Sequence, residues 1–169
     1  MAATQEPNAP LFALSSPRWR ELSQAYGSAE DIPQLLEALA STRQPLERAE
    51  IWFGIWATLC PDGHVFSAAY AAVPHLLRIT QPDALEERVA AMHIAVSVEI
   101  ARQDPGAPPI PDDVVASYAS AIESLPARVA ELSVVAWDAT SAQILAAALL
   151  VGTRHPALAR AVLQIASAP

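Results

Sequence analysis

Ile32-Pro33-Gln34-Leu35-Leu36-Glu37-Ala38-Leu39 is an aliphatic residue and a proline leading into a helical apolar stripe. The phrase returns as Val73-Pro74-His75-Leu76-Leu77-Arg78-Ile79, and more loosely as Leu125-Pro126-Ala127-Arg128-Val129-Ala130-Glu131-Leu132. Pro33 and Pro74 stand 41 residues apart, within the ~40–47-residue period of arrays made from stacked helical hairpins. Pro126 follows at a longer step, which an inserted loop accounts for. The reading is an all-α chain whose recurring unit is a pair of helices.

Working outward from those phrases, residues 1–15 are Pro- and Ala-rich and read as an extended lead-in, with Leu11, Phe12 and Leu14 tacked onto a core. Ser16-Pro17 is an N-cap followed by proline at the first helical position, predicting a helix to about Tyr26 that stops at Gly27. Ser28 with Asp31 resembles a capping box and opens the next helix. Arg43 to Leu59 is apolar around most of its circumference, which predicts a helix packed on several sides. Pro61-Asp62-Gly63 is a turn, and Val65 to Thr80 returns as a partner helix with Pro74 inside it. That proline removes the helical bond to the Tyr70 carbonyl and predicts a kink. Recurrence of the phrase places such a kink in the second helix of each hairpin. Further helices are expected over 82–102, 112–124, 138–150 and 156–166, with the proline-rich run 104–111 as hinge or insertion and Pro126 either kinking the helix before it or starting a new turn. Together they make about four hairpins in one domain, residues 16–169, arranged as a HEAT-like α-α superhelix, or solenoid.

Composition narrows the function classes. The chain has 169 residues, 53% hydrophobic and 17% charged, with a net charge of −8 and no lysine among its ten basic residues. This argues against a nucleic-acid partner, since no dense basic patch is available to displace counterions, and leaves room for a basic protein partner. Cys60 is the only cysteine, so no internal disulfide forms and a reducing cytoplasm is the expected location. Met1 to Pro10 has no basic residue and no apolar core of a secretory signal. The most apolar stretch, 134–151, is interrupted by Asp138, Thr140, Ser141 and Gln143 and reads as a core helix, not a membrane span. An alternative for its segment 142–150 is an interface, so the chain is expected to be a monomer or a homodimer.

Chemistry has one compact locus, Cys60-Pro61-Asp62-Gly63-His64, where three ligand or nucleophile types fall within five residues. A mixed metal site, a Cys/His nucleophile and a plain capped turn all fit that string. Glu47, Glu50, His75 and Arg78 fall on the more polar sides of two adjacent helices. With Asp62 and His64 they are the candidate binding residues, lining one face of the array or forming a solvated surface. Glu99 stands in the apolar run Ala95-Val96-Ser97-Val98-Glu99-Ile100-Ala101, a setting that raises a carboxyl pKa unless Arg102 or Arg88 pairs with it. No phosphate loop, Gly-x-Ser-x-Gly elbow or His-Glu-x-x-His motif is present. No catalytic residue, metal or cofactor is therefore assigned.

Trp56-Ala57-Thr58-Leu59, the turn, and Ala68-Ala69-Tyr70-Ala71-Ala72-Val73-Pro74-His75-Leu76 resemble a segment of uncharacterised bacterial HEAT-like helical-repeat proteins. Trp19 and Tyr26-Gly27-Ser28-Ala29 leading to Ile32-Pro33-x-Leu35-Leu36 resemble their N-terminal part. The resemblance covers about Pro17 to Ile79. It departs at Cys60-Pro61-Asp62-Gly63, where those proteins carry a His-Gln-Gly turn. Two enzymatic HEAT-like groups are disfavoured. The di-iron hydroxylases carry His-Glu dipeptides, whereas Val65, Leu76, Ile94 and Pro156 follow the histidines here, and the DNA glycosylases are basic where this chain is acidic. The proline-phased repeat and the missing catalytic motifs point to a non-catalytic protein-interaction module, and the resemblance suggests the immunity or adaptor kind. The alternative is an enzyme or small-ligand or metal binder built on Cys60, Asp62 and His64.

Overall fold

Each proline phrase lies in an α-helix, yet only one of the three prolines is interior to it. The computed structural model describes residues 9–80 and 84–165. Its helices are α1 (Ile32–Ser41), α2 (Pro45–Leu59), α3 (Ser67–Ile79), α4 (Leu85–Ala101), α5 (Val115–Glu123), α6 (Leu125–Glu131), α7 (Ala139–Gly152) and α8 (Pro156–Ile165). Pro33 and Pro126 occupy the first turns of α1 and α6, where the missing N–H has no helical acceptor to lose. Pro74 alone is interior, in α3. Because α1 pairs with α2 and α3 with α4, Pro33 and Pro74 belong to the first helix of their pairs. The expected kink in every second helix is corrected accordingly.

The expected helix from Pro17 to Tyr26 is also corrected. Ser16 caps it as foreseen, its Oγ accepting from the Arg18 N–H at 3.3 Å, but the helix is a five-residue 3₁₀ turn, Pro17–Glu21. A two-stranded antiparallel ribbon of β1 (Ser23–Gln24) and β2 (Gly27–Ser28) follows. Gly27, at φ +131°, holds a conformation side chains rarely adopt. Ties to two later helices favour the ribbon over helix. The Ser23 N–H donates to Ser67 Oγ at 2.8 Å and the Ala25 N–H to the Thr58 carbonyl at 3.0 Å. The Ser28–Asp31 capping box does not form. Ser28 Oγ instead donates to the Arg20 carbonyl, and Asp31 precedes α1 without a side-chain cap.

Burial reverses the expected roles of α2 and α3. Every residue from Ala68 to Leu77 is buried, because four alanines in that run let α1, α4 and α5 pack closely around α3. Helix α2 was expected to be surrounded, yet Leu46 and Phe53 are 76% and 75% exposed. Its buried side, including Ile55 and Leu59, faces α1 and α4, where the Trp56 ring lies 4.7 Å from that of His93. Helix α7 packs on α4, α6 and α8 with Ile144, Leu145, Ala147, Ala148 and Val151 buried, so one side of the stretch offered as an interface is core, while Leu149 is exposed.

Arginines close several helix ends. Carbonyls of a last turn lack intrahelical donors and sit at the negative end of the helix, and a guanidinium meets two or three acceptors at once. Arg48 of α2 donates through Nη1 to the Leu39 and Thr42 carbonyls at 2.6 and 2.8 Å and through Nη2 to Glu87 Oε2 at 2.6 Å. Arg128 of α6 reaches the Leu77 carbonyl at 2.6 Å. Arg160 of α8 reaches the Ile100 carbonyl at 2.9 Å and Asp104 Oδ1 at 2.6 Å. The proline-rich loop is likewise pinned, since Tyr70 Oη donates to the Pro108 carbonyl at 2.9 Å. No helix of the described residues is long and apolar enough to cross a membrane.

Candidate functional site

The six candidate binding residues do not share one face. Glu47 and Glu50 are exposed on α2, and Glu47 accepts from Thr42 Oγ1 at 2.6 Å. His75 is only 7% exposed. Its Nε2–H donates to the Phe12 carbonyl at 2.7 Å, and its ring lies 6.5 Å from that of Trp19. Its work is structural, anchoring the lead-in through Phe12, which itself meets Trp19 edge-on. Burial lowers the His75 pKa. Arg78 is exposed at the end of α3 and reaches the Ala9 carbonyl at 3.5 Å.

The 60–64 turn spreads its three groups apart. Pro61–Gly63 is a 3₁₀ turn in which Asp62 adopts φ 51° and ψ 28°, leaving Asp62 and His64 exposed. Cys60 is buried, and burial pushes its thiol up to about 11. A catalytic cysteine needs the opposite shift. Among the described residues no three His, Cys, Asp or Glu side chains converge on a metal position.

Two other features carry more structure. The first is the outer face of α2. Leu46, Glu50 and Phe53 follow one another at four- and three-residue steps, so they form a single exposed stripe two turns long, with Glu47 beside it. The second is a cavity of about 410 Å³ between the end of α4, the loop after it, α5 and the α7–α8 junction. At its base Glu99, 8% exposed, accepts four side-chain hydrogen bonds. Tyr118 Oη and Arg102 Nε reach Oε2 at 2.9 and 2.8 Å, while Gln103 Nε2, at 3.1 Å, and Arg102 Nη2 reach Oε1. Burial and the Glu99 charge together hold the Tyr118 phenol well above its ordinary pKa. Burial pushes Tyr70, edge-on to Tyr118 at 5.1 Å, up to about 12. Glu99 and Arg102 lie one turn apart, so their pairing was legible in sequence. Tyr118 stands beyond the proline-rich loop, and no local signal brings it to Glu99.

Compared with known proteins, the chain matches no protein-family model, no curated protein and no solved structure.

Proposed function

We propose that this chain is a non-catalytic protein-interaction module built on HEAT-like repeats, of the immunity or adaptor kind, which meets its partner through the outer face of α2. The observation that carries the reading is the exposure of Leu46 and Phe53 two turns apart on one stripe. Large apolar side chains exposed together mark interaction surfaces, and an aromatic at the centre of an interface is a frequent anchor. Glu47 and Glu50 give that stripe an acidic border. With the −8 charge of the chain, it suits a partner with an apolar socket and a basic rim. A second copy of the chain is disfavoured at this face, because it would set the same carboxylates against each other. Stacking of α1, α3 and α5 as neighbours, with the pairs α1–α2, α3–α4 and α7–α8, supports the repeat array. The cytoplasm, where Cys60 stays a thiol, is the compartment this reading takes.

Capture from the native host with Phe53→Ser, Leu46→Ser and the control Tyr26→Ser, which is also highly exposed, tests the reading. The first two substitutions are expected to abolish recovery of a basic partner, and the control to retain it. All three are expected to leave stability within about 0.5 kcal/mol, as surface changes do. Capture that survives Phe53→Ser refutes the assignment. So does a loss of ~3–5 kcal/mol in stability, the cost of truncating a buried phenylalanine.

A further inference from the structure

We propose that the cavity bounded by α4, α5 and the α7–α8 junction binds a small organic carboxylate with an apolar body. The inference goes beyond the protein-binding reading and stands whether or not that reading holds. A volume of about 410 Å³ is in the range of small-molecule sites. Ile110, Ile122, Val151 and Pro156 supply apolar walls. Deep in the lining the spare hydrogen-bonding capacity belongs to donors, while the exposed Glu123 at the rim, also a lining residue, pairs with Arg154. Glu99 is saturated by its four donors, so it has little to offer a ligand. Arg102 commits Nε and Nη2 to Glu99, and its Nη1 has no protein partner among the described residues. A cavity-lining guanidinium held by a buried carboxylate, with Nη1 unspent, is suited to a carboxylate ligand.

Arg154 supplies the second cation. It lines the same cavity and is 86% exposed at its side chain, paired with Glu123 at 3.1 Å. An exposed pair of that kind exchanges partners readily. Its backbone is unusual: φ is 68°, just past the end of α7. The Arg154 N–H donates to the Val151 carbonyl at 2.9 Å and the His155 N–H to the Leu150 carbonyl at 2.8 Å. That left-handed helix-closing position favours glycine. An arginine held there at the cavity rim fits a need for the side chain, since strained backbone clusters at ligand sites.

Benzoate and phenylacetate, with benzamide as the neutral control, are titrated into the full chain while amide chemical shifts and thermal midpoint are followed. Saturable binding of the carboxylates is expected at or below about 10 mM, with shifts centred on Ala119, Gly152 and Arg154. Arg154→Gln is expected to weaken it at least tenfold. Ala119→Trp, a change at an exposed wall position, is expected to abolish it by filling the cavity, with helical content retained in both variants. Absence of saturation overturns the proposal, as does equal binding of benzamide or unchanged affinity in Ala119→Trp.

Discussion

Gly152 and Pro126 are in such close contact that a β-carbon on the glycine would lie 2.4 Å from the proline Cδ and 2.7 Å from its Cγ. The Ile122 carbonyl would be 3.3 Å away. This contact seats the end of α7 on the junction of α5 and α6, and it gives the third proline phrase a physical role. Pro126 opens α6 and presents its ring to the one position in α7 that has no side chain.

Gly152→Ala tests that contact with a sign that helix propensity alone would get wrong. Within a helix, alanine is favoured over glycine by about 1 kcal/mol. Here the added methyl meets a rigid ring and a backbone oxygen, so the expected result is destabilisation of about 1–3 kcal/mol, the cost of overpacking. Adding Pro126→Ala should recover part of the loss, because neighbouring substitutions couple. Chemical denaturation of the two single variants and the double variant measures the coupling. Stabilisation by Gly152→Ala alone would remove the contact from the account.

Arg48 is the side chain whose loss should spread furthest, because it joins three helices. It satisfies two carbonyls at the end of α1, sits on α2, and pairs with Glu87 at the start of α4. Arg48→Ala is expected to cost on the order of 3 kcal/mol, as removal of one member of a buried ion pair does. Arg48→Lys should restore only part of that, since an ammonium lacks the planar fork that reaches both carbonyls and the carboxylate together. Urea midpoints of the two variants separate the outcomes. Full rescue by lysine would mean that charge alone, without the fork, holds the three helices.

The helical content and the proline phrases were legible because both depend on local sequence. Ser16 announces a helical start and the Glu99–Arg102 pair sits at helical spacing, whereas Pro33, read as a kink, proves to open α1. What failed depended on the neighbours of a segment. The apolar wheel of α2 gave no sign that Phe53 faces outward, since that follows from Ala68, Ala69, Ala71 and Ala72 drawing α1, α4 and α5 around α3. The Pro17–Tyr26 segment is held as ribbon by Ser67 and Thr58, more than 30 positions along. Cys60, Asp62 and His64 are neighbours in sequence, but burial of the first and exposure of the others separates them. The cavity at Glu99 needs Tyr118 and Arg154, which only the packing of α5 on α3 and of α7 on α4 brings near.

Histidine burial sets a pH dependence with a definite sign. Burial lowers the pKa of both His75 and His93 below the ordinary 6.5. Arg78 adds to the effect at His75, while the Phe12 carbonyl opposes it. Below pH 6.5 the unfolded chain takes up protons that the folded chain resists. Stability therefore falls as pH drops from that value through the lower folded ones, and these groups contribute no slope above it. Denaturant midpoints at pH 7.5 and 5.5 should separate more for the parent chain than for a His75→Gln/His93→Gln variant. Glutamine at position 75 retains a donor for the Phe12 carbonyl, so the comparison isolates the titration from the contact. An identical pH difference in both proteins would mean that the two rings ionise as freely in the fold as in the unfolded chain. The anchoring of Phe12 by a neutral imidazole would then have to be abandoned.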